Sequence, residues 1–114
     1  MATDKDFIGY LEEKISHIPG TRTRAMFGEY AYYCDNVVVG LVCDNTVYIK
    51  ITPSTEKLLG ADAEKGPPYP GAKDQYILDE RTIDDQELIK KLIVGCAQDV
   101  IASKTKKKPA KKKS

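Results

Sequence analysis

Thr23 to Ile51 reads TRAMFGEYAYYCDNVVVGLVCDNTVYIKI, and two Asp-Asn pairs divide its second part into runs of β-branched and aromatic residues. Asp and Asn tolerate the positive φ that a two-residue hairpin turn demands. Strands are therefore expected over Glu29 to Cys34, Val37 to Cys43 and Thr46 to Ile51, each near the usual strand length. Two-residue loops pair Cys34 with Val37 and Cys43 with Thr46, and side chains alternate faces from those points. One face then carries Ala31, Tyr33, Val38, Gly40, Val42, Val47, Ile49 and Ile51 and is expected to be the core. The other carries Tyr30, Tyr32, Val37, Val39, Leu41 and Tyr48, with Lys50 at its end. That second face is too apolar to be simply wet, so it is expected to be covered by a loop or to meet a partner, such as a second copy of the chain.

Upstream, Thr21 to Met26 alternates Thr and Arg and suits a short strand with one polar face, while Gly28 allows a bend or bulge after Phe27. Residues 4 to 18 read as a surface helix. Phe7, Ile8, Leu11, Ile15 and Ile18 fall at helical spacing, Thr3 and Asp6 resemble a capping box, and Pro19-Gly20 stops the run. Downstream, Thr52-Pro53 starts a short helical turn that Gly60 ends near Leu59. The loop from Ala61 to Gln75 contains GPPYPGAK at Gly66 to Lys73, whose prolines favour extended backbone. It reads as a rigid connector anchored by Tyr69, with a ligand loop as the alternative. Gln75 to Asp79 makes a further strand. A second long helix follows, with caps offered by Thr82 and Asp85 or by Asp84 and Glu87. It carries Leu88, Ile89, Leu92, Ile93, Cys96 and Val100 on one stripe and is expected to end near Ser103.

A chain of 114 residues fits one domain, expected over residues 4–103. Residues 104–114, KTKKKPAKKKS, are too charged and too poor in apolar residues to fold alone and are expected to form a disordered tail. The net charge of +1 conceals this division, because seven of the eighteen basic residues lie in that segment. Residues 1–103 keep eleven Lys and Arg against seventeen Asp and Glu, a balance of −6. The object expected is an acidic body with a polycationic arm. No apolar run approaches the roughly 20 residues of a membrane span. MATDKDF has neither part of a secretory leader, so no membrane contact is expected and the cytosol is the expected compartment.

Cys34, Cys43 and Cys96 match no zinc spacing, and His17 is the only histidine. Six residues of hairpin at ~3.3 Å each put Cys34 and Cys43 roughly 20 Å apart, beyond disulfide reach. Reduced structural thiols are expected, with Cys96 on the apolar stripe of its helix. The sequence contains no Ser, Cys or His arrangement with a base and no phosphate-binding glycine loop. The acidic pairs Asp84-Asp85 and Glu12-Glu13 read as a helix start and a solvated face. No cofactor, metal or catalytic residue is expected, and an unrecognised enzyme is the remote alternative.

The run RAMFGEYAYYC at Arg24 to Cys34, followed by a hairpin, by YIKIT at Tyr48 to Thr52 and by PPYPGAK at Pro67 to Lys73, resembles the N-terminal domain of the TfoX/Sxy family of bacterial competence regulators. The resemblance covers about residues 4 to 103. It implies a two-layer α+β fold, an antiparallel β-meander sheet flanked by N- and C-terminal helices, which agrees with the order of elements above. It also implies a role in activating transcription of DNA-uptake genes, in the better-known members alongside a global cyclic-AMP-responsive activator. The longer regulators of that family carry a second, helical domain not present in these residues.

The function expected is a regulatory binding module, reached in one of two ways. Protein contacts, either homodimerisation or docking on a transcription factor, are assigned to Tyr30, Tyr32, Leu41 and Tyr48 and to the loop residues Pro68, Tyr69 and Pro70. Tyrosines among aliphatics suit such contacts because each supplies area and one polar tip. The alternative is non-specific DNA association through Lys104, Lys106, Lys107, Lys108, Lys111, Lys112 and Lys113, with added phosphate contacts from Arg22 and Arg24. Seven lysines on duplex DNA correspond to a salt slope of about −6. The acidic body opposes that mode and carries no helix-turn-helix or base-stacking motif.

Overall fold

Both Asp-Asn pairs fold as the turns their chemistry favours. The computed structural model describes the backbone of residues 3–113 and the side chains of residues 3–104. In it Asp35 and Asn36 have φ of 52° and 69°, and Asp44 and Asn45 have φ of 51° and 57°. These turns join β2 (Glu29–Cys34), β3 (Val37–Cys43) and β4 (Thr46–Ile49). Cys34 lies opposite Val37 and Cys43 opposite Thr46, as the two-residue loops require. A third tight turn stands where a bend or bulge was expected. Phe27 and Gly28, at φ 49° and 83°, reverse the chain between β1 (Thr21–Met26) and β2, with Met26 opposite Glu29.

β6 (Gln75–Leu78) pairs with β4, and the two-residue β5 (Lys65–Gly66) pairs with β6. The result is a six-stranded antiparallel sheet in the order β1-β2-β3-β4-β6-β5. β5 carried no strand signal because it is so short and is followed at once by Pro67, which has no N–H to give a ladder.

One residue breaks the alternation of the sheet. Tyr33 faces Val38 while Tyr32 faces Gly40, which leaves Val39 unpaired as a bulge. A single extra residue inverts the side-chain phase along the rest of a strand. The core is consequently a hybrid of the two faces that the turns define. Tyr32, Cys34, Val37 and Val39 come from one, and Val42, Val47 and Ile49 from the other. Tyr32 is fully buried, which overturns its expected place on a contact face. Tyr33 and Val38, expected in the core, are half-buried on the opposite side, and Ile51 lies past the end of β4 and is exposed.

The helices cover this core on one side, giving the two layers expected. α1 (Lys5–Ile15) contributes Ile8, Leu11 and Ile15, and Ile18 follows in the turn after it. Its N-cap is Asp4, which makes no side-chain cap bond, and Thr3 reaches the sheet instead. α2 (Pro53–Leu59) starts with a capping box in which Thr52 and Thr55 bond reciprocally. The single long helix expected after β6 is divided in two. Asp79 caps α3 (Glu80–Asp84) through the Thr82 amide at 2.9 Å, and Asp85 accepts from the Leu88 amide at 3.0 Å as α4 (Gln86–Lys113) begins. Ile89, Leu92, Ile93, Cys96 and Ala97 of α4 lie against the sheet. The backbone of α4 is continuous past Ser103 to Lys113, and the side chains of residues 105–114, all but the first residue of the expected tail, lie outside the described residues.

Candidate contact surface

Among the described residues no helix covers the other side of the sheet. Ala31, Tyr33, Val38, Leu41, Cys43 and Tyr48 line it by alternation, and of these Tyr33, Val38, Leu41 and Tyr48 are half-buried. Part of the cover comes from the proline-rich loop between β5 and β6. Ala72 N–H donates to the Tyr69 carbonyl at 3.1 Å, and Gly71 adopts φ 88°, so the loop turns back tightly after Pro70. Pro68, not Tyr69, is its packing anchor. Pro68 is buried, whereas Tyr69 is 55% exposed. The ring of Pro68 already fixes its own backbone, so little freedom is lost when it packs.

Between this loop and the β1–β2 turn lies a groove of about 400 Å³. Leu41, Cys43 and Pro68 give it an apolar lining, and Met26, Phe27, Glu29, Tyr30 and Tyr69 complete it. Phe27 is 102% exposed and occupies the left-handed region at φ 49°. A bulky residue there costs about 1–3 kcal/mol of backbone strain, and Phe27 recovers none of it by burial. The hairpin would be better served by Asn or Gly.

The edge of the groove is held firmly. Thr3 N–H donates to the Gly28 carbonyl at 3.1 Å, and Thr3 Oγ1 donates to Glu29 Oε1 at 2.6 Å while accepting from the Asn45 amide at 3.3 Å. The Asp44 amide donates to the same Glu29 oxygen at 3.1 Å. Thr3 thereby ties the β1–β2 turn to the β3–β4 turn. Burial pushes the Cys43 thiol above its ordinary pKa, assisted by nearby Glu29 and Asp44, so it stays protonated near neutrality. Desolvation raises Tyr48 similarly. Cys34 and Cys96 are also free and buried, Cys96 with its pKa pushed up to about 12, chiefly by burial. These thiols are packing groups and not thiolate nucleophiles.

Four of the expected contact residues thus meet in one place: Tyr30, Leu41, Pro68 and Tyr69. Tyr48 shares the outer face, half-buried, without lining the groove, and Pro70 is exposed beyond it. Tyr32 belongs to the core. Of the expected phosphate contacts, Arg22 and Arg24 are exposed on β1, and the Arg22 guanidinium lies 4.2 Å from the centre of the Tyr33 ring. Lys104 is exposed; Lys106, Lys107, Lys108, Lys111, Lys112 and Lys113 lie outside the described side chains. Met26, Phe27, Glu29 and Cys43 were missed. A bulky Phe in a two-residue link before Gly28 was the available signal.

The TfoX N-terminal domain family matches residues 13–100. A protein of Spirochaeta aurantia, described as an uncharacterized 12.7 kDa protein in the trpE 5′ region, is 39% identical over 80 residues, which are 70% of this chain and 69% of that one. Among the described residues no helix is long and apolar enough to cross a membrane.

Proposed function

The chain belongs to the TfoX N-terminal domain family, and from that premise we propose that it is a non-enzymatic regulatory module of the cytosol that works by protein contact. The family's link to competence regulation makes a transcription factor, or a second copy of the chain, the natural class of partner. The observation that carries this reading is Phe27. It is wholly exposed, held in a disfavoured conformation, and placed on the rim of an apolar groove. Exposed aromatics beside well-formed apolar pockets are the usual anchors of protein interfaces. The test is quantitative capture from native cytosol by the full chain and by its Phe27→Asp and Leu41→Glu variants, with sedimentation to score self-association. A defined partner or a dimer that both variants lose is expected; retention by both overturns the reading.

A second reading has one observation in its favour. The backbone of α4 runs on into the lysine-rich segment, which holds seven of the eighteen basic residues. Non-specific DNA association would then belong to this arm. Binding that vanishes on truncation to residues 1–103 and falls steeply with salt supports it; binding that survives truncation assigns DNA contact to the body.

A further inference from the structure

β1 is an edge strand, and the hydrogen-bond phase of its hairpin fixes which backbone groups it leaves free. A two-residue turn makes its flanking pair, Met26 and Glu29, a hydrogen-bonded one, and such pairs recur at every second residue. Arg24 with Ala31 and Arg22 with Tyr33 are then bonded pairs. The Asp35 amide donating to the Gly20 carbonyl at 3.1 Å continues the same phase. Thr21, Thr23 and Ala25 therefore turn their N–H and C=O groups away from β2. No other segment among the described residues pairs with them.

Concave surface lies at both ends of this edge. At the Met26 end is the apolar groove, and at the Thr21 end a second hollow of about 580 Å³ is bounded by Glu12, Ile15, Ile18, Thr21, Arg22 and Thr23, with the Thr23 hydroxyl donating to the Glu12 carboxylate. Between them, Arg22, Arg24 and Met26 share one side of the strand. Neither arginine forms an ion pair among the described residues, although residues 1–103 are acidic overall with a balance of −6. Glu12 meets the strand at Thr23, on the helix side; on the opposite side, which Arg22 and Arg24 share by alternation, the two arginines form a local positive site.

We propose that the free edge of β1 is the docking site for an extended acidic segment of another protein, which adds as a further strand of the sheet. The segment runs antiparallel to β1. Its first outward side chain is apolar and enters the groove beside Met26, and the next two on that side are carboxylates facing Arg24 and Arg22. Strand addition takes affinity from the backbone and specificity from alternate side chains. A second copy is a poor occupant, because two-fold pairing of β1 with itself sets the arginines of both copies on one face. The proposal rests on the protein-contact reading above and names the chemistry of the partner.

The test uses the full chain and a labelled synthetic peptide, Leu-Thr-Glu-Thr-Glu-Thr, followed by fluorescence anisotropy at low salt. Four results are expected: binding of this peptide; at least tenfold weaker binding of the version with Lys for Glu; at least tenfold weaker binding after N-methylation of the peptide's alternate amides; and at least tenfold weaker binding to Ala25→Pro. Pro at 25 removes an N–H that β2 does not use, and circular dichroism verifies its fold. N-methylation needs no change in the protein. The double variant Arg22→Glu, Arg24→Glu is expected to prefer the Lys peptide. Equal binding of the Glu and Lys peptides, indifference to N-methylation, or a dimer of the free chain that Ala25→Pro dissociates would each overturn the proposal. Should the peptide fail while Phe27→Asp still abolishes capture from cytosol, the contact module stands and edge addition falls.

Discussion

The Tyr32 hydroxyl donates to the carbonyl oxygen of Tyr48 at 2.5 Å, and it does so across Gly40, the residue that follows the Val39 bulge. A side chain on Gly40 would lie 2.0 Å from that carbonyl and 2.5 Å from the hydroxyl. The bulge, the glycine and the buried phenol are thus one device. The β3–β4 ladder pairs are Val42 with Val47 and Cys43 with Thr46; at the bulge the Lys50 amide donates to the Val39 carbonyl at 2.8 Å, and the phenol occupies the Tyr48 carbonyl. Burial raises the Tyr32 pKa well above its ordinary value, so the hydroxyl remains a donor at any physiological pH.

Substitutions at these positions should be costly in different ways. Tyr32→Phe leaves the part-buried Tyr48 carbonyl without this donor and should lower stability by about 1–3 kcal/mol. Gly40→Ala meets backbone that cannot move aside and should cost about 3 kcal/mol or more. Urea unfolding measures both. If Gly40→Ala matches the wild type, the close approach described here is wrong.

The same device separates what was legible in the sequence from what was not. Asp35-Asn36 and Asp44-Asn45 announced their turns because positive φ has a local chemical signature. The stripes of α1 and α4 announced themselves through period. The Val39 bulge has no such signature, since three consecutive valines read alike in either phase, and only tertiary packing decides which of them face the helices. Tyr32 was therefore placed on the wrong side while Leu41, beyond the bulge, was placed correctly. The groove was only half legible for a related reason. Pro68 and Tyr69 were visible in a motif, but their meeting with Met26 and Phe27 depends on the loop folding over the sheet.

Acid should loosen the start of α3. The Thr82 backbone amide and hydroxyl both donate to Asp79, at 2.9 and 3.0 Å, and these bonds, the amide first, hold its carboxyl below the usual value of 3.8. A depressed folded pKa gives stability that is present above the unfolded value and lost as pH falls through the folded one. The loss should accordingly begin near pH 4 and continue below it. Asp79→Asn keeps a capping oxygen without the titration, so its thermal midpoint should fall less between pH 5 and pH 2.5 than that of the wild type. Parallel curves for the two proteins would count against this cap as a source of acid sensitivity.

The three thiols should be silent in the folded protein. Cys34, Cys43 and Cys96 are all buried, and burial raises the pKa of each. At pH 8 a disulfide reagent should label none of them within minutes, and all three in denaturant. Cys43 borders the groove and should be the first to react as urea is raised. Cys96 should be the last, because it sits against the Val39 carbonyl, with Sγ to O at 3.6 Å, beneath α4. Rapid native labelling of Cys96 would contradict that packing.

Phe27 permits a prediction in which stability and function separate. Its side chain is 102% exposed and its φ is 49°, so it contributes strain to the fold and no burial. Asn is among the residues that best tolerate this conformation. Phe27→Asn should therefore stabilise the protein by about 1 kcal/mol and raise Tm by about 4 °C. The same change removes the aromatic rim of the groove and should weaken partner capture. A variant that is more stable and less able to bind would show that Phe27 is kept for contact. If Phe27→Asn instead destabilises the protein, the ring packs against something in solution, and the surface assigned to a partner is already occupied.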